Sequence, residues 1–341
     1  MRALQLLFLL GLCGTLHAYP DRPVTLVVPF TPTGTPDIYG VPRITKLIKM
    51  MQTLSTPSLT DSLANEVVQA LGGAFDRPVT FDRHPRGKTI PGTLYAARAK
   101  PDGHTLLFAG SQTITIYPTL HPQAAFDPLR QLAPVALVAR MPIALITAAD
   151  NPARSVADIR EHARRLAGQV NYAAVGDGST AHLTGELFRH ATGTEIVHVN
   201  YNGSVPAINA VVTRHVEFGF VPLAAVLPYI EGRRLRVIAI ASAARHAAMP
   251  ETPTIAESGL PGFEASGWFG VLAPARTSAA IVSLLNYEIN KALHEDAAQR
   301  SFTAMGLNSM SATPEEFAAL IERDSKRWSQ LLKTASTGHQ Q

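Results

Sequence analysis

Four times along this 341-residue chain an apolar run leads into a loop rich in glycine and hydroxyl residues. The loops are PFTPTGTPD (29–37), FAGSQT (108–113), VGDGST (175–180) and VNYNGSVP (199–206). An apolar run that ends in such a loop and continues with helical spacing reads as strand, turn and helix N-terminus. Strands alternating with helices restrict the chain to an α/β fold with largely parallel sheets. In open α/β sheets, ligands bind beyond the carboxyl ends of the strands. Exposed N–H groups at helix starts suit an anion there.

The third unit, NYAAVGDGSTAHLTGELFRH (171–190), supports three readings. Gly176-x-Gly178-x-x-Ala181 can be taken as a degenerate dinucleotide fingerprint. That fingerprint needs a carboxylate at the end of the next strand. The next strand, EIVHVNY, ends in Asn200 and Tyr201, so this reading falls. The second reading is a cradle for the carboxylate of a small metabolite. In the third, the glycines only turn the chain and Ser179 only caps a helix.

The other runs fit the same rhythm. PVTLVVPF (23–30), RPVTF (77–81) and HTLLFAGS (104–111) read as strands, and LANEVVQAL (63–71) as a helix stopped by Gly72-Gly73. VALVARMPIALITAA, interrupted by Pro142, reads as two strands or one bent strand. A helix capped by Ser155 follows. SVPAINAVVTR and a stretch near AAVLPYIEG read as helices, and VEFGFV and LRVIAIAS as strands. The C-terminal part predicts two helices, TSAAIVSLLNYEINKALH and TPEEFAALIERDSKRWSQLLKT. The second opens with a capping box from Thr313 to Glu316. Residues 39–62, basic and apolar, break the rhythm and carry no chemistry we can assign.

The N-terminus, MRALQLLFLLGLCGTLHA, has one Arg, a short apolar run and a small-residue exit, the pattern of a secretory signal peptide over residues 1–18. Cleavage after Ala18 removes the only cysteine and leaves a chain without disulfide chemistry. A lipid anchor at Cys13 is disfavoured by Leu12, because such signals want a small residue there. We expect a soluble, exported product. The balance of 30 basic and 26 acidic residues, without a basic block, argues against a nucleic-acid partner.

Searches for reactive chemistry return little. There is no G-x-S-x-G elbow, P-loop or H-E-x-x-H motif. His182, Glu186 and His190 are spaced by four along one helix, but its ends rise ~12 Å apart, too far to converge on one ion. We expect a binding protein, not an enzyme, with no cofactor and no metal.

In its ordered blocks the sequence resembles the Bug receptors, the periplasmic solute-binding proteins of tripartite tricarboxylate transporters. The blocks include YPDRPVTLVVPFTPTGTPD, AKPDGHTLLFAGS, FDPLRQLAPVALVAR, VNYAAVGDGSTAHLTGELF, PTIAESGLPGFEASGWFGVLAPART and TPEEFAALI. The resemblance implies a type II periplasmic binding protein, two α/β domains with a ligand cleft between them. Domain 1 would be discontinuous, 19–139 and 266–341, and domain 2 would be 140–265, with crossings near Arg140 and Ala265. It implies a small carboxylate ligand, a monomer that closes by a hinge, and delivery to membrane transporter subunits of the tripartite type or to a sensor. Carried over by position, the ligand-binding residues would be Phe30, Thr33, Gly34, Thr35 and Asp37 in the first loop and Ser111 and Gln112 in the second. Ser179, Thr180, Tyr201 and Ser204 would come from the second domain.

The departures bear on the pocket. Thr33 stands where the family pattern has a glycine, and Pro36 precedes Asp37. DRHPRGKT (82–89) replaces a glycine-rich stretch with Arg86 and Lys88. Asn200 replaces a common proline. Val221 stands where many members place a polar residue, which would make the pocket locally less polar.

Overall fold

The computed structural model describes residues 19–30, 58–85, 89–124, 126–230 and 232–337. The leader 1–18, Thr33, Gly34, Thr35, Asp37, residues 39–57, Arg86 and Lys88 lie outside them.

Among the described residues ten strands form one sheet, eight of them in the order β2-β1-β3-β9-β4-β7-β5-β6, with β10 and β8 joined to β4. The first half is β1 (Val24–Val28), β2 (Val79–Arg83) and β3 (Thr105–Gly110). These are parallel, β1 pairing with both β2 and β3. The second half is β5 (Val170–Val175), β6 (Ile196–Tyr201) and β7 (Phe218–Pro222), again parallel around β5. Two long strands join the halves: β4 (Leu132–Ala148) and β9 (Ser266–Pro274). β4 pairs with β9 up to Pro142 and with β7 and β8 (Leu235–Ile240) from Ile143 onward. So the stretch interrupted by Pro142 is one 17-residue strand serving both halves. β4 is antiparallel to β7, β8, β9 and the short β10 (Asn308–Ser309). Largely parallel sheets hold for the outer strands only. Adjacent strands that carry the chain out and back between two halves must run in opposite directions.

The helices cover both faces. In the first half these are α1 (Leu59–Ala74) and α2 (Ile90–Ala97). After β3 comes a π-turn (Gln112–Ile116) that continues as α3 (Tyr117–Leu120), then α4 (Pro128–Gln131). α5 (Val156–Arg165), α6 (Thr180–Thr192), α7 (Ser204–Val212) and α8 (Leu223–Ile230) flank the second half. α9 (Ala279–Leu293), α10 (Asp296–Ala304) and α11 (Pro314–Thr337) follow β9. Caps fix their starts: Ser58, Ser155, Ser179 and Ser278 each accept a backbone N–H, and Ser155 with Asp158 completes a capping box. The Thr313–Glu316 box is formed in both directions. α1 begins earlier than expected and runs through Gly72 and Gly73 rather than stopping there.

Alternation along the strands sorts the core. Val24, Leu26 and Val28 pack with Phe108 and Val271, whereas Val27 faces the other side with Leu107 and Trp268. Likewise Tyr172 and Ala174 face one cluster and Ala173 the other. α11 belongs to both halves. Its Phe317, Leu320 and Ile321 pack with Trp268, but Trp328 and Leu331 pack with Leu145, Phe188 and Phe220. The crossing is pinned beside it: Arg140 pairs with Glu264, and Arg327 donates to the Glu264 carbonyl at 2.7 Å. The buried Asp324 accepts from Trp268 Nε1 at 3.0 Å, and its desolvation holds that carboxyl above the usual range.

Candidate functional site

A cleft of about 610 Å3 lies where the two halves meet. Phe30, the start of the π-turn and α3 line it from the first half; the β5–α6 turn and the ends of β6 and β7 line it from the second. Its size falls within the ~300–1,000 Å3 of small-molecule sites.

The second-half wall is built by the glycine turn. Gly176 and Gly178 have φ of 63° and 73°, a region open to glycine and costly for other residues. Gly176 N–H and Gly203 N–H both donate to the Tyr201 carbonyl, tying the turn to the next strand. A side chain at Gly178 would also strike Leu120 of α3, so the halves touch at this point. Ser179 caps α6 by accepting His182 N–H at 3.1 Å. Leu183 N–H to the Ser179 carbonyl is the first intrahelical bond, which leaves the Thr180 and Ala181 N–H groups without an intrahelical partner. They carry the positive end of the helix dipole to the cleft.

Across the cleft, Ser111 follows β3 and precedes the π-turn. Its Oγ accepts Trp268 N–H at 3.3 Å. Gly267 lies between the two walls: a methyl built on it would sit 3.5 Å from Ser111 Oγ and 3.5 Å from Thr180 Oγ1. The remaining surface is mostly apolar, with Ile116, Leu120, Met141, Ile143, Trp268 and Phe269. Phe30 packs edge-on against Phe108 and Phe269. Among the described residues, no Lys or Arg lines the cleft; Tyr117, His121 and Asp177 are its ionisable side chains.

Of the expected ligand-binding residues, Phe30, Ser111, Gln112, Ser179 and Thr180 meet at this cleft. Tyr201 and Ser204 do not line it. Tyr201 acts through its carbonyl, and Ser204 is the first residue of α7, after a glycine that caps without a side chain. Asn200 and Asn202 reach the cleft instead. Val221 is a correction. It is fully buried opposite Ala144 in the apolar cluster behind the sheet, and its neighbour Pro222, paired with Ile143, lines the cleft. Successive strand residues point to opposite faces, so one step in phase moves the side chain out of the pocket. Thr60, Thr89 and the apolar wall were not expected from the sequence. Trp268 and Phe269 do fall in the block SGWFG, where an aromatic pair between glycines is the available signal.

Beside the cleft, His198 of β6 comes next to His182. Their rings stack at 4.2 Å, and His182 Nδ1 accepts Gly178 N–H at 3.0 Å. Burial, then the neighbouring His182, lowers the His198 pKa to about 4, and burial lowers that of His182. Glu186 turns away to accept from Tyr172 and Arg189, and His190 is exposed.

Comparison with known proteins places this arrangement. Residues 62–336 match the profile of the tripartite tricarboxylate transporter family receptor. Protein BugT of Bordetella pertussis is 31% identical over 316 residues, covering 92% of this chain and 90% of BugT. Among solved structures, R. palustris Rpa4515 with adipate is 29% identical with a TM-score of 0.74, covering 93% of this chain and 98% of that one. MatC from Rhodopseudomonas palustris with bound malate is 25% identical with a TM-score of 0.70, covering 92% and 99%.

Proposed function

Because this chain belongs to the tripartite tricarboxylate transporter receptor family, we propose that its cleft captures a small carboxylate with an apolar body. The observation that carries the reading is the meeting of Ser111 and Thr180 on either side of Gly267, each at the start of a helical segment. Hydroxyls and helix N–H groups bind carboxylate oxygens without a fixed cation. The apolar wall suits a hydrocarbon spacer, and Rpa4515, with adipate, offers a relative of the same kind.

The cleft holds and does not transform. The Ser111 and Ser179 hydroxyls are engaged by backbone N–H groups, not by a base. In this reading the two lobes are 19–139 with 266–341, and 140–265, with crossings near Arg140 and Ala265. The end of α11 reaches over to the second lobe. They close on the ligand by a hinge, and the closed monomer delivers it from the periplasm to a tripartite transporter or a sensor.

The test is calorimetry of the exported protein against mono-, di- and tricarboxylates of graded chain length. Binding by dicarboxylates that strengthens with added methylenes supports the reading. Binding of amines or sugars with no carboxylate response would overturn it.

A further inference from the structure

The β5–α6 turn brings three metal-ligating side chains together. Asp177, His182 and His198 each offer one ligand atom, and the three lie within 4.8 Å of one another. They come from three places: the glycine turn, the first turn of α6 and the adjacent strand β6. We propose that Asp177, His182 and His198 form a binding site for a divalent transition metal of the zinc class at the margin of the cleft.

The spacing is suited to such an ion. His198 Nδ1 lies 3.4 Å from Asp177 Oδ1. Two ligands bonded at ~2.0 Å in tetrahedral geometry stand ~3.3 Å apart. The His198 ring is largely buried, its side chain 12% exposed, with Nδ1 on the Asp177 side. Asn200 Nδ2 donates to Asp177 Oδ2 at 3.1 Å, which leaves Oδ1 toward the histidines and orients the carboxylate. Asp177 is largely exposed, so an ion has a path in and the carboxylate has room to adjust. Two imidazoles and one carboxylate select zinc-like ions over magnesium or calcium. Three protein ligands leave one tetrahedral position for water, the pattern of an open rather than a closed site.

One consequence distinguishes this site from surface histidines. Nδ1 of His182 accepts the Gly178 N–H, so in the present arrangement Nδ1 carries no proton. If the ion binds Nδ1, it takes that lone pair. If it binds Nε2, the proton moves to Nδ1. Either way the bond from Gly178 is released, and Gly178 lines the cleft.

The experiment is a zinc titration of the untagged, chelator-treated exported protein by calorimetry, with cobalt absorption as a second probe. The expected result is one equivalent at micromolar affinity or better, with the visible bands of tetrahedral cobalt. H198Q weakens binding by about tenfold or more, and H190Q on the exposed end of α6 leaves it unchanged. Binding untouched by H198Q, or no binding tighter than millimolar, overturns the site. Should H198Q fail to fold, amide NMR of the unaltered protein decides. Zinc must shift the Gly178 amide and both ring resonances, and a titration that moves only other histidines rejects the assignment. This readout uses no carboxylate, so it stands or falls apart from the function proposed above.

Discussion

Ser111 Oγ and Thr180 Oγ1, one from each half of the molecule, both lie 3.5 Å from the point that a methyl on Gly267 would occupy. The ladder between β4 and β9 holds that point in place, because Gly267 pairs with Met141. A carboxylate seated there would touch both lobes at once, which is how a ligand stabilises a closed cleft.

Gly267→Ala places a methyl at that point. Its nearest neighbour is the flexible Met141 Cε at 3.0 Å, so the chain folds with little loss. Carboxylate affinity falls by about tenfold or more, which corresponds to ~1.4 kcal/mol or greater. Calorimetry beside thermal unfolding separates the two effects.

The two hydroxyls differ in what else they do. Thr180→Val keeps the shape and leaves the Ser179 cap intact, so the melting temperature holds while affinity drops by ~1 kcal/mol. Ser111→Ala also strips the acceptor from the buried Trp268 N–H and destabilises the free protein by ~1–3 kcal/mol. A paired comparison of melting temperature and dissociation constant checks the contrast.

Trp328 is 1% exposed, in the core of the second half, although it sits on a helix whose start packs against the first. Trp328→Ala costs ~3–5 kcal/mol. It loosens the second half's hold on α11, so amide exchange rises there more than in β1–β3. Hydrogen exchange read by mass spectrometry tests this.

His246 is buried, with Nε2 donating to the Leu307 carbonyl and Nδ1 accepting Ala248 N–H. Burial lowers its pKa. Its contribution to stability is therefore complete above the unfolded value of about 6.5 and is lost as pH falls from there toward the folded value. His246→Gln should be less stable than the unaltered protein at neutral pH, yet should lose less stability between about pH 6.5 and 5. Melting temperatures across that interval report the difference.

The outer strands and helix starts are legible in the sequence because local rules set them. VTLVV, the Ser155 and Ser179 caps and the Thr313–Glu316 box each depend on neighbours a few residues away. β9 is hidden because every one of its nine residues is buried, so no period-two pattern marks it, and two of them besides Gly267 and Gly270 are aromatic. Val221 lies outside the pocket because its strand phase is set by register with β4, which neither the sequence nor a position shared with relatives displays. His198 is invisible for the same reason. Its nearness to His182 depends on parallel pairing of β5 with β6 and on the return of α6 above them. The apolar cleft wall depends on the π-turn after Ser111, whose extra residue per turn rotates Ile116 and Tyr117 relative to an α-helix.

The most direct test of the account is a thermal-shift screen of the exported protein against small carboxylates, repeated on Thr180→Val. A ligand at a hundred times its dissociation constant adds ~2.7 kcal/mol of stability. The account predicts a clear rise in melting temperature with a dicarboxylate that has an apolar spacer, and a smaller rise in the Thr180→Val protein. A folded protein that no carboxylate in the panel stabilises, or one stabilised equally with and without the Thr180 hydroxyl, would contradict it.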